Sequence, residues 1–214
     1  QIIPNEFLYH PLCNGDANGS ITIDIPPGSG SLNYYWLNGT GTSDSLYGLS
    51  AGLYPLVVVD GGCVDTFNIS LYDPDTLVVS ANIDQVQLSC LGALTTVNLL
   101  ISGGTIPYSI LWDDGDTNLN RVVGAGSYTV EVTDTNGCTA QDLLIIITEP
   151  DSLSISTAIS CTDGGVATAI VSGGAAPFSY LWNTGDTTQI IDSLWASTYW
   201  VLVTDSCGNS ITDT

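Results

Sequence analysis

The sequence contains almost no positive charge. Its 214 residues include 22 acidic side chains and a single basic one, Arg121, so that the formal net charge is −21 at pH 7. Nucleic acids and anionic lipid surfaces attract clustered Lys and Arg, which this chain lacks. The acids are spread over the whole chain, so we expect a soluble surface that repels nucleic acid and membrane and attracts counter-cations.

Other absences narrow the class of protein. The chain has one histidine, His10, and therefore no second imidazole for a metal site or a catalytic triad. It has no P-loop or Cys-x-x-Cys motif, and its Asp residues cluster in turns and not as paired acids of a glycosidase cleft. No apolar run reaches the length of a membrane-spanning helix. Residues 1–20 lack signal-peptide features, so we expect any leader to have been removed or to lie upstream. We predict that the protein is not an enzyme.

One stretch recurs along the chain. Residues 102–117 read SGGTIPYSILWDDGDT, residues 172–187 read SGGAAPFSYLWNTGDT, and residues 28–42 hold a degenerate copy, GSGSLNYYWLNGTGT. Self-similarity at a fixed period is the signature of repeat architectures. We therefore predict tandem modules, the last of which has a final strand that looks cut short. The predicted modules are residues 1–76, 77–150 and 151–214.

Strand signals dominate each module, and helix signals are nearly absent. Tyr128, Val130 and Val132 alternate with Thr129 and Glu131, which is the period of a β-strand with one buried face. Seven short strands with a buried Trp, a Tyr partner and a disulfide describe an immunoglobulin-like sandwich. We predict an all-β chain of three such modules. The expected core aromatics are Trp36, Trp112, Trp182, Tyr54, Tyr128 and Tyr199.

The six cysteines fall two per module. A module of roughly 70 residues buries only about 60% of its unfolded surface and usually benefits from a staple. Because a similar spacing recurs inside each module, we predict one disulfide per module, formed in an oxidising compartment outside the cytoplasm. The predicted pairs are Cys13–Cys63, Cys90–Cys138 and Cys161–Cys207.

Short proline segments separate the modules. Residues 73–77 read DPDTL and residues 149–153 read EPDSL. Pro74 and Pro150 each end one module and stiffen the passage into the next. We therefore expect a semi-rigid rod.

The motifs together resemble the SprB repeat. The shared pattern is Gly-Gly-x-x-Pro-Tyr-x-x-x-Trp, then Gly-x-Tyr-x-Val-x-Val-Thr-Asp, then Asn-Gly-Cys. The middle module carries it nearly whole, the third has Ser197 in place of one glycine, and the first lacks the Pro-Tyr pair. The Trp-x-x-Gly-Asp portion also looks like PKD domains. The resemblance implies large surface adhesins of gliding and other Bacteroidota, exported by the type 9 secretion system, with a spacer or adhesive role and no catalytic residues.

One acidic turn is a candidate calcium site. Asp113, Asp114 and Asp116 offer the hard oxygen ligands that Ca²⁺ prefers. The competing interpretation is a solvated turn, which we favour because the equivalent turn of the third module has only Asp186. We therefore expect no cofactor, with Ca²⁺ as the one ion to test.

A second segment imitates the start of an EF-hand loop. Asn14, Asp16 and Asn18 precede a glycine at the spacing of the first calcium ligands. Ile25 stands where that loop needs its acidic twelfth residue, so we favour a solvated loop here as well.

Five Asp-Ser/Thr segments resemble the O-glycosylation sequon of Bacteroidota. Asp, Ser and Thr are common in this chain, so chance accounts for some of the matches. Two acceptors, Thr76 and Ser152, fall at the module junctions, where we hypothesise glycans. The N-glycosylation sequons at Asn18, Asn38 and Asn68 carry less weight in the implied host. The O-glycosylation acceptors are Ser45, Thr76, Ser152, Thr187 and Ser193.

We expect a non-enzymatic stalk of a cell-surface adhesin or filament, whose partners are neighbouring modules of the same chain or filament. One alternative is a carbohydrate-binding module that uses Trp195 or Trp200 to contact surface glycans, although core or interface filling explains these residues more simply. The other alternative is a self-assembling filament subunit completed by strand donation between chains.

Overall fold

The structure, a computed structural model, describes residues 2–26, 31–39, 41–161 and 164–214. Within these ranges every regular element is a β-strand, which confirms the predicted all-β class. No helix in the described ranges is long and apolar enough to cross a membrane. The glycine-rich start of the degenerate repeat copy, residues 28–30, lies outside them.

The first repeat forms two three-stranded sheets. The sheet orders are β1-β2-β4 and β3-β5-β6. Burial alternates along β2, as the strand pattern predicts. Trp36 packs in a core that includes Leu56, Ile69 and Leu71. The strands are β1 (Asn5–Tyr9), β2 (Gly19–Asp24), β3 (Leu32–Trp36), β4 (Ser45–Leu49), β5 (Gly52–Asp60) and β6 (Cys63–Leu71).

The second repeat has the same strand order. Its first, second and fourth strands form one sheet, β10-β8-β7, and its third, fifth and sixth form the other, β12-β11-β9. Trp112 is only 2% exposed. The strands are β7 (Val78–Ile83), β8 (Thr95–Ser102), β9 (Ser109–Trp112), β10 (Asn120–Val123), β11 (Gly126–Thr133) and β12 (Leu143–Ile147).

The third repeat follows the same plan with a smaller core. Its sheets are β13-β14-β16 and β15-β17-β18. Trp182 packs with Ala167 and Ala169, at the positions where the second repeat has Val97 and Leu99. The strands are β13 (Ser154–Ser160), β14 (Val166–Ser172), β15 (Ser179–Trp182), β16 (Ile190–Ile191), β17 (Val201–Thr204) and β18 (Ser210–Asp213).

The repeats are immunoglobulin-like, as predicted, but each contributes six strands to the described residues and not seven. The reason is visible between β9 and β10. Residues 113–119 there are used in the turn that closes over Trp112, which leaves no chain for another strand.

Contacts divide the chain into two compact units. The middle repeat contributes residues to both units, so the predicted module boundaries stay a prediction. One unit comprises residues 1–80, 99–118 and 129–143, and the other comprises residues 81–98, 119–128 and 144–214.

The predicted disulfide pairs are wrong. Within the described residues, Cys13 bonds to Cys138 and Cys90 bonds to Cys207, so each bridge joins two repeats and lies within one compact unit. Cys161 is free and so is Cys63, in contrast to the predicted one bridge per module.

The positions of the cysteines in the sandwich explain the error. Cys13 follows β1, at the end of the repeat where Gly19 packs against Leu71. Cys63 begins β6, and Leu71 ends it. Because a strand rises about 3.3 Å per residue, the length of β6 separates the two cysteines by about 25 Å. A disulfide needs Cα atoms within about 7 Å, so equal spacing within repeats reflects equivalent positions and not pairing.

Candidate functional site

The first bridge anchors a loop of one repeat to a hairpin of the next. Asn18 shapes the loop by accepting a hydrogen bond from the Leu12 N–H through its Oδ1 atom at 2.9 Å. Asn14 Nδ2 donates to the carbonyl oxygen of Pro74 at 3.0 Å. The loop around Cys13 therefore binds the junction segment as well as the neighbouring repeat.

A buried carboxylate shapes the hairpin that presents Cys138. Asp134 is 5% exposed, and its Oδ1 atom accepts hydrogen bonds from the N–H groups of Asn136 and Cys138, each at 2.9 Å. Its Oδ2 atom accepts one from Thr105 N–H at 2.8 Å. Desolvation raises the pKa of Asp134, but the backbone N–H donors, Cys138 first among them, outweigh it and hold the pKa below its ordinary value.

A buried aspartate also shapes the hairpin of the second bridge, but there the cysteine lies two residues after the aspartate and not four. Asp205 is 6% exposed, and its Oδ1 atom accepts hydrogen bonds from the N–H groups of Cys207 and Asn209, each at 2.9 Å. Its Oδ2 atom accepts from Ala175 N–H at 3.2 Å. Desolvation again raises the pKa of Asp205, and hydrogen bonds from Asn209 and the backbone reverse the effect and lower the pKa.

Both bridges sit against equivalent backbone. Cys138 Sγ lies 3.3 Å from the carbonyl oxygen of Leu12, and Cys207 Sγ lies 3.6 Å from that of Ser89. Leu12 and Ser89 are the residues that precede the first cysteine of each bridge. Both bridges therefore place the second cysteine against the residue before the first, although Cys138 lies four residues after Asp134 and Cys207 only two after Asp205.

Repeat glycines pack against the junction segments. A methyl group on Gly103 would overlap the carbonyl oxygen of Thr76, and Gly104 N–H donates to the carbonyl oxygen of Asp75 at 2.8 Å. This close approach explains why the Gly-Gly pair recurs together with a junction segment that reads Pro-Asp-Thr or Pro-Asp-Ser. The equivalent residues at the next junction are Asp151, Ser152, Gly173 and Gly174.

The repeat tryptophans are buried at equivalent positions. Each indole N–H donates to a backbone carbonyl oxygen in the turn that follows its strand. These bonds satisfy the indole N–H, which would otherwise be buried without a hydrogen-bond partner at a cost in free energy. The donors and acceptors are Trp36 to Ser43 at 2.9 Å, Trp112 to Asn118 at 2.9 Å and Trp182 to Thr188 at 2.8 Å.

The repeat tyrosines each make an equivalent hydrogen bond. Tyr54 is buried, whereas Tyr128 and Tyr199 are half-buried. Each hydroxyl bonds to the carbonyl oxygen four residues upstream, the tyrosine corner of immunoglobulin-like sandwiches. The sequence pattern gave the position of each tyrosine but not this bond. The acceptors are Ser50 at 2.8 Å, Gly124 at 3.1 Å and Trp195 at 3.2 Å.

The carboxylate oxygens of the acidic turn accept hydrogen bonds from backbone N–H groups of the same chain. Asp113 Oδ2 accepts from Thr129 N–H at 3.2 Å. Asp114 Oδ1 accepts from Asp116 N–H, and Asp116 Oδ1 accepts from two N–H groups that follow it. No group of three His, Cys, Asp or Glu side chains placed to hold a metal occurs in the described ranges. The favoured interpretation, a solvated turn, and the calcium hypothesis beside it both stay untested.

The EF-hand-like segment is the loop that carries Cys13. Asn18 Nδ2 donates to Asp16 Oδ2 at 3.1 Å, so both side chains stabilise the loop itself. His10, the only histidine of the chain, accepts a hydrogen bond from Tyr72 N–H through Nδ1 at 3.0 Å.

The proposed glycan acceptors differ in exposure. Ser45 is half-buried within β4, whereas the other four side chains are exposed. Of these four, two lie at the junctions. Glycosylation itself stays a prediction. The exposed acceptors are Thr76, Ser152, Thr187 and Ser193.

The third repeat contains a cavity of about 660 Å³. Trp195, which is 87% exposed, stands at its wall, and Cys161 and Thr214 also line it. Ala167 also lines the cavity, and a larger side chain there would fill part of the space. Trp200 is 40% exposed. The sequence pattern identifies both tryptophans as additional to the repeat core, but it does not indicate the cavity.

The sequence matches the family model of the SprB repeat in two regions, residues 11–41 and 153–187. The better-formed middle copy at 102–117 lies outside both matches. No curated protein matches the sequence.

Solved structures of tandem domains are similar to the whole chain. Three N-terminal domains of the Highly Immunogenic Outer Capsid protein (Hoc) of bacteriophage RB49 are 11% identical, with a TM-score of 0.51, over 99% of this chain and 95% of that one. Titin domains A168–A170 are 11% identical over 97% and 94%, with a TM-score of 0.35. Extracellular domains 3–5 of Drosophila OTK are 11% identical over 100% and 94%, with a TM-score of 0.32.

The similarity to Hoc supports the fold. SprB repeats on tandem immunoglobulin-like modules are typical of structural or adhesive extracellular proteins, a class that is typically non-catalytic. The chain carries SprB-repeat sequence in its first and third repeats, on tandem immunoglobulin-like modules.

Proposed function

We propose that the chain is a non-enzymatic stalk segment of a large secreted surface adhesin or surface filament. One observation carries this proposal: consecutive repeats are joined twice, once by the backbone and once by a disulfide. A spacer that holds a distal tip away from a cell needs connections that resist bending and tension. A second covalent link beside each junction supplies that resistance.

The junction contacts add to the covalent links. In one unit the Cys13 loop binds Pro74 while Gly103 packs on Thr76. In the other, Glu149 Oε2 accepts a hydrogen bond from Gly92 N–H at 2.6 Å. A junction that is held at several points has fewer conformations than a flexible linker, so it bends and extends less under force. These contacts support a semi-rigid spacer.

The surface charge supports an extracellular role. A net charge of −21 disfavours binding to nucleic acid and to anionic membranes.

The SprB resemblance extends the proposal to export by the type 9 secretion system and to glycans at Thr76 and Ser152. Intact-mass measurement of protein from its native source tests the glycans, because the bare polypeptide mass would refute them.

Small-angle X-ray scattering tests the spacer. A compact globule of 214 residues has a radius of gyration of about 17 Å. A spacer, measured as the isolated monomer, should give a radius at least about half as large again, unchanged by dilution. A radius near the compact value would overturn the proposal. The oxidised C63S variant serves as the control, since it lacks only a free, exposed thiol.

The cavity in the third repeat favours a second candidate, a filament subunit completed by a strand from another copy. In the first repeat Ile69 and Leu71 fill the core at the end of β6. In the third repeat the cavity is lined by Ala167 and Trp182, which belong to the core of that repeat. Because β17 is already paired with both β15 and β18, an apolar strand from another copy would occupy this space beside residues 198 and 199, which line the cavity.

A synthetic peptide with the sequence of residues 143–148 tests this candidate. Saturable binding at the cavity, with monomers that associate as concentration rises in light scattering, supports strand donation. Monomers at every concentration and no peptide binding contradict it. Glycan-array hits that W195A abolishes would instead favour the carbohydrate-binding alternative.

A further inference from the structure

Cys63 and Cys161 form no disulfide, and they occupy different positions in their repeats. Each repeat holds a first cysteine after its first strand and a second cysteine in the hairpin of its fifth and sixth strands, where Cys63 is the first residue of the sixth. Both bridges join the first cysteine of one repeat to the second cysteine of the following repeat. Cys161 is a free first cysteine, and Cys63 is a free second cysteine. One chain therefore carries both halves of one more bridge.

Both leftover thiols are accessible. Cys63 and Cys161 are exposed. Cys63 is presented by the hairpin of β5 and β6, where it pairs with Asp60 across two glycines of positive φ. Cys161 follows β13 directly, and it lines the cavity of the third repeat.

The second cysteine of each bridge contacts the backbone of the preceding repeat. Cys138 and Cys207 each lie against the backbone just before their partner cysteine. A leucine precedes Cys13, and serines precede Cys90 and Cys161. The contact is largely with backbone, so it does not depend on one particular side chain.

We propose that Cys161 of one copy forms a disulfide with Cys63 of a second copy, and that this bridge extends the chain end to end. The two thiols lose two protons and two electrons to a disulfide oxidant such as glutathione disulfide, which leaves as two thiols. One S–S bond forms between the copies while the S–S bond of the oxidant breaks. The inference rests on the equivalence of the repeats and not on the proposed spacer function.

The test uses two variants that each keep one free thiol. C63S retains Cys161, and C161S retains Cys63. Labelled C63S and unlabelled C161S are mixed in a buffer of reduced and oxidised glutathione, and covalent dimers are weighed by mass spectrometry. We expect heterodimers to exceed homodimers by about tenfold. Wild-type protein should form a ladder of oligomers, and C63S/C161S should remain monomeric.

Several outcomes would overturn the inference. These are a statistical mixture of homodimers and heterodimers, an absence of covalent dimers, and a monomer that closes Cys63 on Cys161 within one chain. Peptide mapping of the wild-type oligomers must link Cys161 to Cys63. Failure here leaves the scattering test of the spacer unaffected, because that test uses a monomer with its two internal bridges.

Discussion

Cys13 and Cys138 join the first repeat to the second, with their Cα atoms 5.5 Å apart and a sequence separation of 125. The bridge spans the junction at Pro74, where the Cys13 loop makes a second contact. The bridge therefore limits how far the two repeats can separate when the chain is pulled. Most of the mechanical behaviour expected of the chain follows from this relationship.

Removing the first bridge should destabilise the protein. A disulfide that closes a loop of more than 100 residues stabilises by about 4–5 kcal/mol in the chain-entropy treatment. The C13S/C138S variant should therefore unfold at a clearly lower guanidinium concentration than wild type. The matched control is C63S, which removes one exposed, free thiol. Equal midpoints for C13S/C138S and C63S would show that the bridge does not stabilise the fold.

Gly103 should tolerate alanine much less well than Gly115. Both glycines have positive φ, at 72° and 86°, so alanine costs about 1–2 kcal/mol of backbone strain at either position. An alanine methyl at 103 would also overlap the carbonyl of Thr76, whereas nothing lies within 4 Å at 115. G103A should lower the melting temperature several degrees more than G115A. Similar melting temperatures would mean that the Gly103 contact with the junction does not form.

Acid should weaken the hairpins that present the bridged cysteines. The lowered pKa values of Asp134 and Asp205 stabilise the fold above the ordinary carboxyl pKa of 3.8, and that contribution is lost as the pH falls through the lowered values. D134N/D205N should be less stable than wild type at pH 7 and should lose less stability between pH 4 and pH 2. Exposed Asp142 supplies the control, D142N, whose acid profile should match wild type. Parallel acid profiles for D134N/D205N and wild type would contradict this role.

Much of the fold can be predicted from the sequence, because strands and core aromatics follow local patterns. The alternation at residues 95–102 predicts β8 at its observed bounds, and the Trp positions identify side chains that are buried in all three repeats. The bridges cannot be predicted in this way. Equal spacing fits pairing within a repeat and pairing between repeats, and only the position of Cys63 at the far end of β6 decides against the first.

The site also depends on contacts that sequence spacing does not contain. The Gly-Gly pair reads as a turn, yet Gly103 is needed because it packs on Thr76. Asp134 reads as one acid among many, yet it is buried and accepts three backbone hydrogen bonds. Both residues could be found only by their recurrence in the third repeat, where Gly173 and Asp205 do the same.

Pulling the chain from its ends should reveal the bridges. When both are intact, the shortest covalent path holds about 70 residues and extends to about 250 Å, against about 750 Å for the reduced chain. In C13S/C138S the remaining bridge leaves about 98 residues, or about 340 Å. Pairing within modules would leave that variant about 169 residues, or about 590 Å. Force spectroscopy of C13S/C138S, oxidised and reduced, separates these lengths.

Disulfide mapping of the oxidised, alkylated protein tests the connections between repeats most directly. Trypsin is unsuitable because Arg121 is the only basic residue, but cleavage before aspartate places each cysteine on a separate peptide. We predict two bridged peptide pairs, Cys13 with Cys138 and Cys90 with Cys207, and alkylation of Cys63 and Cys161 in the monomer. Peptides that link Cys13 to Cys63, Cys90 to Cys138 and Cys161 to Cys207 would contradict the account.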